Sequence, residues 1–560
     1  MSEGLEKKVR GKMKKTVFWI YMIAAVAAAA PVAAADGDET RPSIEAVRHK
    51  YIWFGWDTQC LSAEQVLDNA ESFDKSVYDG TPVTVKVKNP ETGKEMKIHD
   101  VLENPEVTDA MLADKIPVLK EIVSHRGLRE SLISSFYTPK KRVAWTDDAT
   151  WAKAARSFGA IARAARSAGM KGLFFDQEEY HKNEKQFTWR EGDPEFDECA
   201  RLARRRGAEL FREVFRAYPN AVVLSCYGML SACMSFDYFG ADDIYEATRQ
   251  HRDLWPHFYN GMLDVAPWEA KLVDGSEVAY EYRQSREEFA KSAACIKVRG
   301  VSCVSPENRK KYSAVSQASF GFFINAYVKT NETARFWYGP HNGSRLGQFD
   351  DNLWGATQWS DEYVWLYAGG FAGIHWRNKS GTFNDWKTPN DLLPGYDEVV
   401  FANKDPVAWF HRRVAALAAS GGLTNLYAKK VGDAIKPDKE NEKKVFGVID
   451  IPGTKAGEWY GFRFRARGDV GSVVRWLERG LKYRPFGARI LPVVTAKGRL
   501  GTDGWRQDVG VIRIPMEGVT PSIVFSGVHE GTAKAEVDGL EIYRLFNPRD
   551  FADEKVKQEK

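Results

Sequence analysis

From Tyr51 to Gly422, short apolar runs alternate with longer stretches of helical periodicity. The runs read as strands: Tyr51-Ile-Trp-Phe-Gly-Trp56, Leu132-Ile-Ser-Ser-Phe-Tyr137, Lys171-Gly-Leu-Phe-Phe175, Ala221-Val-Val-Leu-Ser-Cys-Tyr227, Leu272 to Glu277, Ser319 to Ile324 and Tyr363 to Tyr367. A further strand lies at Thr84 to Val87 or at Ser76 to Tyr78. Between them, helical patterning covers Ser62 to Phe73, Ala110 to His125, Trp151 to Ala168, Pro194 to Tyr218, His257 to Ala266 and Ser285 to Lys297. A last helix opens at Asp405-Pro406 and stops at Gly421-Gly422. Strands followed by helices, about eight times over, predict βα units and a parallel sheet. That number favours a closed (β/α)8 TIM barrel, and no glycine-rich nucleotide-binding turn argues for an open sheet.

After Gly422 the pattern changes. Residues Lys429 to Lys444 are charged and poor in apolar groups, as in a linker. Short alternating strands follow, among them Val445 to Ile449, Trp459 to Phe464, Val511 to Ile514, Ser522 to Phe525 and Glu536 to Tyr543. They predict an all-β, jelly-roll-like sandwich. The expected organisation is a barrel over 36–422, a sandwich over 423–548 and a charged tail over 549–560.

The N-terminus carries a targeting pattern. Lys14 and Lys15 precede an apolar run from Val17 to Ala30, and Ala33-Ala34-Ala35 follows. This predicts a secretory signal peptide over 1–35, with Met13 an alternative start, and a secreted protein: periplasmic, extracellular or cell-surface. Left uncleaved, the run would serve as a membrane anchor; no later segment is apolar enough to span. The chain has 80 basic and 76 acidic residues, a net charge of +4, too balanced to argue for nucleic acid. Six cysteines permit disulfides after export, and Cys295 with Cys303 could close a small loop. No CxxC pair and no HExxH supports a metal, and no motif calls for a cofactor.

Candidate chemistry lies at the strand ends. Asp176 and Glu178 follow the run Leu173-Phe-Phe175 at i and i+2, the spacing that puts two strand residues on one face. Asp57, Asp274 and Glu277 end other strands, and in a barrel those ends converge on one mouth. Glycoside hydrolysis needs two carboxyl groups flanking the scissile bond. Glu178 is the expected general acid/base, Glu277 the nucleophile or second base, and Asp176 the like charge that raises the Glu178 pKa. Asp57 and Asp274 are candidate ligands for sugar hydroxyls, and Asp57 could equally cap the first helix. Trp56, Tyr137, Tyr180, Tyr227, Tyr280, Trp337 and Trp376 could stack on sugar faces or pack in a core. His181 and His375 are further acid/base candidates.

Taken as a set, Tyr51-Ile-Trp-Phe-Gly-Trp-Asp-Thr58, Val143 to Trp151, Lys171 to Tyr180, Tyr259-Asn-Gly-Met-Leu-Asp264, Leu272 to Glu277 and Tyr363 to Tyr367 resemble a group of secreted bacterial TIM-barrel proteins classed as glycoside hydrolases. The resemblance implies a sugar-active barrel with Asp176, Glu178 and Glu277 as the matching acids. The Asp-x-Glu after a fourth strand is also similar to chitinase-like barrels, without the rest of their longer signature. One departure stands out. The group often carries an acid directly after the tyrosine that matches Tyr367, where this chain has Ala368 and Gly369. The alternative function is therefore glycan binding, or a cell-surface role, on a degenerate glycosidase barrel. Trp459 to Phe464 and Val537 to Ile542 resemble carbohydrate-binding jelly-roll modules.

Overall fold

A computed structural model describes residues 49–55, 62–181, 183–230, 244–282, 285–328, 344–369, 373–374, 387–428, 431–432, 435, 445–468, 470–478, 489–490, 493–515, 519–527 and 535–551. The signal-peptide run, Trp56, Asp57, Trp337, His375 and Trp376 lie outside these residues, as does most of the expected linker.

Among the described residues nine strands form the parallel part: β1 (Lys50–Gly55), β2 (Pro82–Val83), β3 (Leu132–Phe136), β4 (Gly172–Phe175), β5 (Val222–Ser225), β6 (Lys271–Asp274), β7 (Ser316–Ala318), β8 (Phe320–Phe323) and β9 (Tyr363–Ala368). A six-stranded sheet has the order β2-β3-β4-β5-β6-β7, and a three-stranded sheet the order β1-β9-β8. All their pairings are parallel. Two links join the sheets. β7 and β8 are successive parts of one extended stretch, and Ile52 of β1 bridges Gly80 just before β2. The result is a TIM-barrel-like α/β fold. The second strand is Pro82–Val83 rather than Thr84 to Val87. Lys86–Lys88 instead pairs with Glu95–Lys97 as an antiparallel hairpin outside the parallel sheets.

Local signals explain the helices that the sequence makes plain. α1 (Asp148–Ala168) starts where the Asp147 carboxylate accepts from Thr150 N and ends at Gly169, whose φ of 79° suits glycine. α2 (Phe196–Ala217) and α3 (Trp255–Val265) pack on each other, and Gly207 and Gly261 let their backbones touch. α4 (Arg345–Trp359) was not predicted. Its buried face includes Gln348, Asp350 and Asn352, so apolar periodicity is weak. α5 (Tyr396–Lys404) precedes α6 (Pro406–Ala419), which has Pro406 at its N-terminus as expected. Cys295 and Cys303 are buried free thiols in helical turns and form no bridge.

Beyond α6 the structure is antiparallel. Among the described residues one sheet has five strands, including Thr424–Ala428, Trp459–Arg467, Arg506–Arg513 and Glu536–Phe546, and the other has four, including Val445–Asp450, Val470–Glu478 and Val519–Gly527. Alternation sorts their side chains. Tyr460, Phe462, Phe464, Ile512 and Ile542 share a core with Ile523 and Phe525 of the second sheet. Trp459, Val511, Tyr543 and Leu545 face the other way, into the main core with Trp409 and Phe410 of α6. The antiparallel part and the barrel-like part thus share apolar core. They also share a buried ion pair, Arg513 Nε to Asp350 Oδ2 at 2.6 Å, with Trp459 Nε1 donating to the other oxygen at 3.1 Å. Among the described residues no helix is long and apolar enough to cross a membrane. At the chain's end Asn547 caps the turn Pro548–Asp550, and Phe551 rests on Phe546.

Candidate active site

β4 is buried along its length and delivers Asp176 to the C-terminal ends of the strands. There the chain leaves extended structure. Asp176 N donates to Phe136 O of β3, and Glu178 N donates back to Asp176 Oδ1 at 2.9 Å. Thr138 holds Glu178 O. This local turn, rather than strand alternation, brings the two carboxyl groups together. The Tyr180 hydroxyl sits against both, 2.8 Å from Asp176 Oδ2 and 2.6 Å from Glu178 Oε2.

Glu277 arrives from β6. Gly275 N donates to Ser225 O, Ser276 adopts a left-handed φ of 46°, and Glu277 N donates to Cys226 O at 3.1 Å. That strained turn places the Glu277 side chain beside Glu178 and Tyr227. A non-glycine residue held at positive φ at a strand tip is what a positioned functional side chain can require. Asp274 lies beneath the turn, fully buried. Its carboxylate accepts from Leu230 N at 2.8 Å and from Ser276 N at 3.1 Å. It therefore ties the turn after β6 to the loop after β5 and is not a cavity wall.

The cavity holds about 540 Å³, within the range of a small-ligand site. Asp176, Glu178, Glu277, Cys226, Tyr180 and His181 line one part of it. Phe54, Tyr137, Tyr280, Trp365 and Tyr367 supply rings, and Lys97 and Lys140 supply cations. Trp365 is fixed by its Nε1 donating to Gly275 O at 2.6 Å and by Phe54 at 4.7 Å. Tyr280 and Tyr367 stack at 6.1 Å. Tyr137 lies against His99, ring centroids 4.0 Å apart. Tyr180 is more than half exposed and Tyr280 is buried.

Burial sets the electrostatics. It raises the Asp176 carboxyl to about 7, with Glu178 adding to the rise. Burial and the facing Glu178 lift Glu277 to about 9. The Cys226 thiol is pushed well up by burial and by Asp176. Burial also lowers His99 to about 3, which keeps that ring neutral. Ligand atoms of Asp176, Glu178 and Cys226 lie within 4.8 Å of one another, a set that could take a divalent cation once the thiol lost its proton.

Of the sequence candidates, the structure brings Asp176, Glu178, Glu277, Tyr137, Tyr180, Tyr280 and His181 to one cavity, with Tyr227 behind Glu277. Sequence reasoning missed Phe54, Lys97, Lys140, Cys226, Trp365 and Tyr367 as site residues. The period-2 face Tyr363, Trp365, Tyr367 of β9 could have flagged the last two. Nothing local marks Lys97, which sits on the hairpin that follows β2.

No family model and no curated protein sequence matches the chain. Among solved structures it is similar to a glucosidase from Croceicoccus marinus, at 12% identity over 87% of this chain and 98% of that one, with a TM-score of 0.33. A chitinase catalytic domain from Pyrococcus furiosus shares 9% identity over 65% and 99%, at 0.36. A 3-keto-D-glucoside 4-epimerase from E. coli shares 11% over 56% and 91%, at 0.30. Likeness at this level bears on neither activity nor substrate.

Proposed function

We propose that this protein is an exported glycoside hydrolase that cleaves poly- or oligosaccharides with paired carboxyl groups, and that its C-terminal sheets form a sugar-binding sandwich. The observation that carries the proposal is the meeting of Asp176, Glu178 and Glu277, from two separate strand ends, in one ring-walled cavity. Because Glu277 is held protonated up to about pH 9, it takes the role of general acid, and Glu178 that of nucleophile. This reverses the roles expected from sequence. Asp176 and Tyr180 hold Glu178 in place. Reducing-sugar release from a polysaccharide panel should occur with the wild type and fall by about 10³-fold or more in both Glu178→Gln and Glu277→Gln. Turnover unaffected by either change would remove the assignment.

Glycan binding without turnover is the second possibility, and one feature favours it. The position after Tyr367 holds Ala368 and Gly369, and Asn325 bonds both Gly369 N and Gly369 O. Saturable binding by wild type and Glu178→Gln alike, with no product from either, would select it.

A further inference from the structure

We propose that the cavity takes an acidic sugar, a glycan unit bearing a carboxylate or a sulfate group, and that Lys97 and Lys140 receive the anion. The proposal rests on the carbohydrate function above and narrows its substrate class. Two independent segments bring a lysine to the same cavity: Lys97 closes the hairpin strand Glu95–Lys97, and Lys140 follows β3. Among the described residues, neither ammonium group lies within ion-pair distance of a carboxylate. The acids that influence this corner, Asp100 and Glu103, lie outside the cavity lining, and Glu103 is engaged by Lys140 N at 2.8 Å.

The acids of the site do not use the lysines either. Asp176 is bonded by Glu178 N and Tyr180, and Glu277 lies beside Tyr227 and Glu178. Among the described residues the cavity therefore has an acid pole, in which Asp176 has its own hydrogen bonds, and a cationic pole whose ammonium groups have no carboxylate within ion-pair distance. Lys97 is half-buried beside the buried, neutral His99. Lys140 is exposed, which puts the cationic pole at the rim. A neutral glycan would desolvate Lys97 without return, whereas a carboxylate or sulfate would form charge-assisted hydrogen bonds with both ammonium groups. The aromatic part of the lining would meanwhile hold the sugar faces.

The test is binding calorimetry on the full chain, in Glu178→Gln so that turnover does not consume the probe. Matched pairs are compared: oligouronides against their carboxyl-reduced forms, and sulfated oligosaccharides against their desulfated forms. At least one anionic member is expected to bind about tenfold or more tighter than its neutral partner. Which pair shows the gap separates carboxylate from sulfate recognition. That gap should collapse in Lys97→Met and in Lys140→Met, each first checked for an unchanged melting temperature, and should shrink with added salt. Equal affinity for charged and neutral members, a gap that survives both lysine changes, or no binding in any pair would overturn the proposal. Hydrolysis is measured separately with wild type. An intact anionic preference without any turnover would count against the hydrolase and leave the acidic-sugar site standing.

Discussion

Glu277 combines burial, a like-charged neighbour and an Oε2 atom that no described residue partners. Its folded-state pKa of about 9 lies above the usual glutamate value. A raised carboxyl pKa gives stability that is fully present below the ordinary value of about 4.3 and is lost as pH rises through about 9. Glu277→Gln removes the ionisation. The variant should therefore lose turnover and yet melt about 2–4 °C higher than wild type near pH 8, with the gain vanishing toward pH 4. Thermal scans across that range check it, and a variant that melts lower at every pH would contradict it. In wild type, if Glu277 donates the proton, activity should decline as pH passes about 9.

At the scale of elements, the site depends on two turns held by one buried group. Asp274 ends β6 and accepts backbone amides from the loop after β5 and from its own turn. Neutral asparagine would keep the shape but turn one acceptor into a donor facing those amides. Asp274→Asn should cost about 1–3 kcal/mol of stability and lower kcat more than KM, because Glu277 and Tyr227 both ride on the loosened turns. Denaturant unfolding together with steady-state kinetics would show this. Unchanged stability would mean that the amides find other partners.

At the opposite ends of the parallel strands lies a charged ring. Glu362, just before β9, takes Lys50 from β1 and Lys271 from β6, and Glu130, before β3, faces Lys171. Burial alone would raise Glu362, but the hydrogen bonds from Lys271 and Lys50 outweigh it and hold the group at about 2. A depressed carboxyl pKa gives stability present above about 4.3 and lost as pH falls toward about 2. Acid unfolding should therefore set in across that window, and Glu362→Gln should be destabilised at pH 7 while differing little from wild type at pH 2.

The whole molecule is joined by Asp350 of α4 and Arg513 of the antiparallel region, both buried. Asp350→Ala strands the Arg513 charge, still partly met by Asp351, and should cost about 3–5 kcal/mol. Shared apolar core between the two regions leads us to expect a single calorimetric transition in wild type. Two separate transitions would show that barrel and sheets unfold independently.

Sequence periodicity alone was enough for the strands β1, β3, β4, β5, β6, β8 and β9, for the length of α1, and for the alternation of the C-terminal strands, but not for β2 or β7. Those signals are local: each depends on residues within a turn or two of one another. The acids at the ends of β4 and β6 were legible for the same reason, since a strand that runs into carboxylates is visible without knowing its neighbours. Tertiary structure decided the rest. α4 was hidden because its buried Asp350 is satisfied by Arg513, far along the chain, so the helix needs no regular apolar stripe. Lys97 joined the cavity through a hairpin that no barrel pattern anticipates. The raised pKa of Glu277 depended on desolvation and on the neighbouring Glu178, and both exist only after the sheet has brought those two strand tips together.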